Sequence, residues 1–174
     1  MLLVLVLPGR GDQAKVEVGK TAPDFKLTGL DGKPAQVSWY ATKRPVLIAF
    51  FATDCIWCPK AAPGTRKLAQ TYTNTQLQLL TVEVRGTATA DVQNYAQEVG
   101  YQGFPVLLDT QGKAKSLYGI TRVPTTVLIS KSGVVLRIYK GWTTEIEKAI
   151  AEDVEAMVNG RGLPDHDIPL LGHT

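Results

Sequence analysis

The sequence predicts an α/β domain in which helices pack on a central mixed β-sheet. Strand-like and helix-like segments alternate through the middle of the chain. The last third holds two short strands joined by a tight turn, followed by one amphipathic helix. The chain has 174 residues, 44% of them hydrophobic, and this suffices for one buried core without internal repeats or low-complexity tracts.

Taken in order, residues 23–27 (Pro-Asp-Phe-Lys-Leu) read as a short edge strand, and Asp31-Gly32-Lys33-Pro34 as a hairpin-type turn. Gln36-Val37-Ser38-Trp39 leads into a second short element. Pro45-Val46-Leu47-Ile48-Ala49-Phe50-Phe51 is a continuous apolar run of strand length, as a buried strand requires. Residues 60–72 put apolar or small side chains at 61, 65, 68, 69 and 72, the spacing of one helix face. Residues 77–84 return to strand character, with β-branched residues near the end. Over 89–99, Val92, Tyr95, Ala96 and Val99 share a helical face, and Gly100 is a stop. A short strand is expected at 104–108 and a short helix at 114–118, ending at Gly119. Strands at 125–130 and 134–139 are joined through Lys131-Ser132-Gly133. Thr144-Glu145-Ile146-Glu147 has the form of a capping box. It opens a helix with Ile146, Ala149, Ile150, Val154, Met157 and Val158 on one face, ended by Gly160.

The expected organisation is therefore a domain at 16–160, preceded by residues 1–15 and followed by a tail at 161–174. Residues 1–7 are apolar and are broken by Pro8-Gly9-Arg10-Gly11-Asp12. Seven residues are too few to span a bilayer as a helix. A basic n-region and a cleavage site of small residues are both missing. The stretch fits the remnant of a signal or membrane anchor better than a short native strand.

Charge excludes one class of partner. The formal net charge is +3 and the isoelectric point near 8.8. Lys and Arg are scattered and do not cluster with aromatic residues, so nothing points to nucleic acid.

The chemistry concentrates in Cys55-Ile56-Trp57-Cys58, which holds both cysteines of the chain. The pair sits where strand gives way to helix. A thiol there meets unpaired N–H groups and the positive end of the helix dipole, and both stabilise thiolate. A dithiol so placed can attack a disulfide and release the product through its own partner. Three plainer roles compete with this one. A tetrahedral zinc site needs about four Cys or His ligands, and the other candidates are His166 and His173, in the polar tail. A structural bridge over so small a loop constrains the unfolded chain little. Inert burial gives no reason for the spacing. CxxC beside a βαβ pattern favours redox chemistry.

Pro124, in Arg122-Val123-Pro124-Thr125-Thr126, stands at the start of a strand. Its peptide bond can be cis, as in tight turns, or it can be an ordinary trans proline at a strand's first residue.

These segments together resemble the thioredoxin superfamily, and within it the TlpA/ResA-like (DsbE/CcmG-like) extracytoplasmic thiol-disulfide oxidoreductases. Gly19-Lys20-Thr21-Ala22-Pro23-Asp24-Phe25 is similar to that family's opening signature. Phe50-Phe51-Ala52-Thr53-Asp54-Cys55-Ile56-Trp57-Cys58, with Pro63 five residues on, resembles its active-site segment. Residues 89–108 resemble its inserted helix and strand, and residues 118–126 its cis-proline segment. The resemblance spans about Val18 to Val158. It implies a thioredoxin-like fold, a central mixed sheet flanked by helices, with an extra N-terminal hairpin and an inserted helix-strand.

The resemblance also implies a reaction. Cys55 is the nucleophile, Cys58 the resolving thiol, and the Val123 backbone beside a cis Pro124 pairs with the substrate chain. Trp57 offers an apolar surface next to Cys55. No cofactor is implied beyond the redox-active Cys55–Cys58 disulfide, and no metal. The implied partners are protein disulfides or dithiols and a thiol electron donor, acting on a monomer outside the cytoplasm, with a cytoplasmic location as the alternative. The resemblance leans toward a reductant, serving cytochrome c maturation, although potentials across this fold run from about −270 to about −120 mV.

Three positions depart from the family pattern. Asp54 stands where the family has Trp, and its carboxylate opposes a neighbouring thiolate. Pro59 follows Cys58 where a basic residue is usual, and a helix's first turn accepts it. Ala49 replaces the buried Asp of thioredoxin. Glu83, on the next core strand, either points at that space or reaches solvent.

Two other functions fit the same fold. A peroxiredoxin-like thiol peroxidase shares the Ala-Pro-Asp-Phe opening, but it needs Thr or Ser about three residues before its cysteine, and Thr53 is two before. A Sco-like copper module would use soft thiolates for Cu(I), with cysteines three apart and a His from the fold.

Overall fold

The computed structural model describes residues 16–73 and 75–167, and among them seven strands form one mixed sheet. In chain order the elements are β1 (Lys26–Gly29), β2 (Pro34–Gln36), α1 (Val37–Ala41), β3 (Val46–Phe51), α2 (Cys58–Thr71), β4 (Gln78–Glu83) and α3 (Thr89–Glu98). They continue with β5 (Val106–Leu108), α4 (Lys113–Leu117), β6 (Thr125–Ile129), β7 (Val135–Lys140) and α5 (Thr144–Val158). The strand order is β2-β1-β5-β4-β3-β6-β7. β3 lies near the middle, parallel to β4 and antiparallel to β6.

The continuous apolar run of β3 follows from burial on both faces. All six of its side chains are buried, and their alternation divides the core. Val46, Ile48 and Phe50 pack with Leu80, Val82, Val127, Ala114 and Tyr118. Leu47 and Ala49 face the other way, onto Leu79, Leu128 and the Ile146, Ala149, Ile150 and Val154 stripe of α5. Phe51 continues that second face into a third cluster with Cys58, Ala62, Val92, Tyr95 and Tyr101. Phe51 is the last residue of β3, so the layer beneath it is the floor of the cysteine loop.

Gly100 ends α3 with φ near +73°, a conformation that costs glycine least. Arg66 folds over that turn and donates through Nη1 to the Val99 carbonyl at 2.8 Å, leaving no space for a side chain at Gly100.

Four details differ from the sequence expectation. The first strand is interior rather than an edge. β1 pairs with β2 on one side and antiparallel with the inserted β5 on the other, which leaves β2 at the edge. α2 begins at Cys58 rather than at residue 60. The N-cap of α5 is Thr143, not Thr144: its Oγ1 accepts from the Ile146 N–H at 3.2 Å. Glu147, the expected capping-box acid, instead accepts from Trp142 Nε1 at 2.9 Å.

The fourth concerns the C-terminal segment, of which residues 161–167 lie against the domain. Asp153 is fully buried on α5 and accepts from Arg137 Nε at 3.1 Å and from the Tyr139 hydroxyl. His166 Nε2 stands 2.8 Å from its other oxygen, and Arg137 Nη2 donates to the Pro164 carbonyl at 3.0 Å. A buried charge needs such partners. Burial, reinforced by the Asp153 hydrogen bond, pushes the Tyr139 hydroxyl far above its ordinary pKa. The expected signal or anchor remnant at 1–15, and residues 168–174 with His173, lie outside the described residues.

The cap gives a direct check. Thr143→Ala should lower unfolding stability by about 1 kcal/mol, read from urea midpoints, whereas Thr144→Ala should change it by less than about 0.5 kcal/mol. A larger loss for Thr144→Ala would place the cap at residue 144.

Candidate active site

Strand β3 delivers the chain to a loop at 52–57, and α2 carries it away. Cys55 and Cys58 are joined as a disulfide with their Cα atoms 5.4 Å apart. Cys58, the first residue of α2, is 2% exposed, while Cys55 is part-exposed on the loop. The first turn of α2 has no side-chain cap at Trp57. The Cys58 N–H is shared between Cys55 Sγ at 3.1 Å and the Cys55 carbonyl oxygen at 3.3 Å. The sulfur thus shares a donor at the helix start, and its contact strengthens when that sulfur is a thiolate. Pro59, the next residue, has no N–H to leave unsatisfied.

The Val123–Pro124 bond is cis. Pro124 is buried, and its carbonyl accepts from the Gly141 N–H at 2.7 Å. This places the Val123 carbonyl oxygen 3.5 Å from Cys55 Sγ. When Cys55 is reduced, its thiol can donate to that oxygen. Val123, Pro124 and the two cysteines are thus brought together across 68 residues of chain.

Around the disulfide the surface is apolar. Ile56 is 76% and Trp57 47% exposed. Trp57 stacks on Trp142, with ring centroids 6.4 Å apart, and the Lys60 ammonium lies 4.7 Å from the Trp57 ring centre. Trp142 was not singled out from sequence. It lies 85 residues beyond Trp57 in the chain, and no local pattern links them.

The two acidic positions resolve differently from expectation. Glu83 is 1% exposed and does not reach solvent. It lies opposite Phe51, on the face that carries Ala49, but its carboxylate turns to the loop after β4. It accepts from Arg85 N at 2.9 Å, Gly86 N at 3.0 Å, Thr87 N at 3.3 Å and Thr87 Oγ1 at 3.0 Å. The solvent-facing alternative does not hold: the carboxylate is buried on the Ala49 face, with three backbone donors and a hydroxyl at its oxygens. Asp54 is exposed, and its carboxylate lies 3.7 Å from Arg85 Nε. The repulsion expected from Asp54 thus has a countercharge nearby, which the sequence reading missed.

Behind Cys58, Tyr95 stacks on Phe51 with centroids 5.0 Å apart. Burial first, then Tyr101 and Glu98, push its hydroxyl well above the ordinary value, so this wall stays uncharged. His166 is held at Asp153 and Glu152 on α5. Among the described residues, no group of three or more His, Cys, Asp or Glu side chains is placed to hold a metal ion.

Residues 18–138 match the AhpC/TSA family. Thiol-disulfide oxidoreductase ResA of Geobacillus thermodenitrificans is 34% identical over 77% of this chain and 75% of its own length. ResA of Bacillus subtilis is 30% identical over 75% of this chain and 71% of its own. A crystal structure from Chlorobium tepidum, assigned as a thiol:disulfide interchange protein DsbE, superposes with a TM-score of 0.75 at 27% identity. It covers 83% of this chain and 99% of that one. The exposed lipoprotein thioredoxin Etrx1 of Streptococcus pneumoniae superposes at 0.65 with 30% identity, over 76% and 98%. The fold is therefore thioredoxin-like.

Glu83 carries a stability prediction. Glu83→Ala leaves four donors without their acceptor and should cost about 2 kcal/mol in denaturant unfolding. An unchanged midpoint would mean that the loop holds itself.

Proposed function

The chain belongs to the AhpC/TSA family of thioredoxin-like proteins, and from that premise we propose that it is a thiol-disulfide oxidoreductase that reduces protein disulfides through Cys55 and Cys58. One observation carries the reading: a part-exposed Cys55 accepts the Cys58 N–H at a helix start, with the Val123 carbonyl beside it.

The reaction runs as two exchanges. The Cys55 thiolate attacks one sulfur of a substrate disulfide. A mixed disulfide forms, and the substrate's other sulfur leaves as a thiolate and takes a proton. Cys58 then loses its proton and attacks Cys55 Sγ, which expels the second substrate thiol. Two electrons and two protons pass to the substrate, and the Cys55–Cys58 disulfide remains. A thiol donor returns it to the dithiol. No other cofactor is needed for this sequence.

The substrate chain lies beside Val123, with Trp57 against its apolar side chains. The resemblance to ResA and DsbE supports work outside the cytoplasm, in cytochrome c maturation. No helix among the described residues is long and apolar enough to cross a membrane. A peroxidase reading has less support: Ala52 stands three residues before Cys55, where that chemistry needs Thr or Ser.

Cys55→Ser should abolish insulin-disulfide reduction, and Cys58→Ser should accumulate mixed disulfides, seen by non-reducing electrophoresis and mass spectrometry. If the Cys55→Ser protein accumulates them instead, the roles are reversed. Reaction with hydroperoxide faster than with disulfide would replace this function by a peroxidase.

A further inference from the structure

The loop after β4 touches the segment carrying Cys55 at two points, and neither contact is needed for the exchange chemistry itself. Thr87 Oγ1 lies 3.3 Å from Thr53 Oγ1. Arg85 Nε lies 3.7 Å from the Asp54 carboxylate. Thr53 and Asp54 are the two residues before the nucleophile. The loop is not free to drift from them, because the buried Glu83 carboxylate holds the N–H groups of Arg85, Gly86 and Thr87 and the Thr87 hydroxyl. Gly86 has φ near +70°, which lets three successive N–H groups converge on one carboxylate.

We infer that Arg85 is a positioning residue for the redox pair: anchored through Glu83, it cancels the charge of Asp54 beside Cys55 and so sets how readily the disulfide is reduced. The inference rests on the dithiol function proposed above and concerns the regulation of that same site.

Reduction of the disulfide places negative charge on Cys55. Asp54 alone disfavours that charge, and a neutralising cation removes the penalty. Both side chains are more than half exposed, so the pair adds little to folding stability. Its effect falls on Cys55, the adjacent residue, whose charge changes in the reaction. Lys60, a second cation near the site, is held over the Trp57 and Trp142 rings. It does not pair with Asp54.

The signs are opposite for the two partners. Arg85→Gln leaves Asp54 uncompensated, so the thiolate becomes less favourable and the disulfide harder to reduce. Asp54→Asn leaves Arg85 uncompensated, so the thiolate becomes more favourable and the disulfide easier to reduce. The double variant returns toward the parent.

The test is equilibration of parent, Arg85→Gln, Arg85→Lys, Asp54→Asn and the double variant with reduced and oxidised glutathione at pH 8. The equilibrium converts the protein disulfide and two glutathione thiols into the dithiol and glutathione disulfide. Arg85→Gln should lower that constant about three-fold, or about 14 mV. Asp54→Asn should raise it by a similar factor, and Arg85→Lys should stay near the parent. Thiolate absorbance in a Cys58→Ser background should move in step, with both shifts shrinking at 1 M salt. Thermal midpoints of the variants should match the parent, which separates this effect from a structural one. If the parent exchanges with glutathione but Arg85→Gln and Asp54→Asn leave its constant unmoved, the inference is overturned and the dithiol function stands. A parent that does not exchange overturns both.

Discussion

The site depends on the contact between the Cys58 N–H and Cys55, whose Sγ lies at 3.1 Å and whose carbonyl oxygen lies at 3.3 Å. A helix start leaves donors that something must satisfy. Here no side chain of Trp57 does so, and the sulfur and carbonyl oxygen of Cys55 share the Cys58 N–H. The rest of the fold serves to keep that junction in place. β3 is buried between β4 and β6 and ends at Phe51, four residues before Cys55. Tyr95 and Tyr101 close the floor under Phe51. The start of β6 brings Val123 to the open side.

This arrangement treats the two cysteines unequally. Cys58 is enclosed by the cluster of Phe51, Ala62, Val92 and Tyr95 and can be reached only through its partner. Cys55 faces outward among Ile56, Trp57 and the Val123 carbonyl. A substrate disulfide therefore meets one sulfur first, and the second acts only once the mixed disulfide has formed. The acidic groups nearby each have a partner. Asp54 has Arg85, Glu83 is saturated by loop donors, and Glu147 is bonded to Trp142. With Asp54 facing Arg85, the helix N-terminus remains a direct influence on the nucleophile.

Much of this was legible in the sequence because it rests on local patterns. The apolar run at 45–51, the CxxC beside it and the 3.6-residue period of the helices identify β3, α2, α3 and α5 to within about two residues. Val123-Pro124 was found by resemblance, and the structure brings it to Cys55. What escaped depends on pairs distant in sequence. β1 reads as an edge because nothing in residues 23–27 announces that β5, some eighty residues on, will pair with it. Trp142 joins Trp57 only through the packing of α5 against α2. Glu83 is ambiguous because a strand-end acid can turn either way, and its choice was fixed by the N–H groups of residues 85–87. Thr143 and Thr144 are chemically equivalent in sequence, and only backbone geometry decides which one caps α5. The segment 161–167 lacks any period, so its contacts with Asp153 and Arg137 left no trace there.

The most direct test of the central claim is the pH dependence of alkylation of the reduced protein by limiting iodoacetamide, with the modified peptide identified by mass spectrometry. If the start of α2 stabilises the Cys55 thiolate, Cys55 is labelled well ahead of Cys58, with half-maximal rate below the free-thiol pKa of about 8.5. Equal labelling of the two cysteines, or labelling of Cys55 with a midpoint at or above about 8.5, would contradict it.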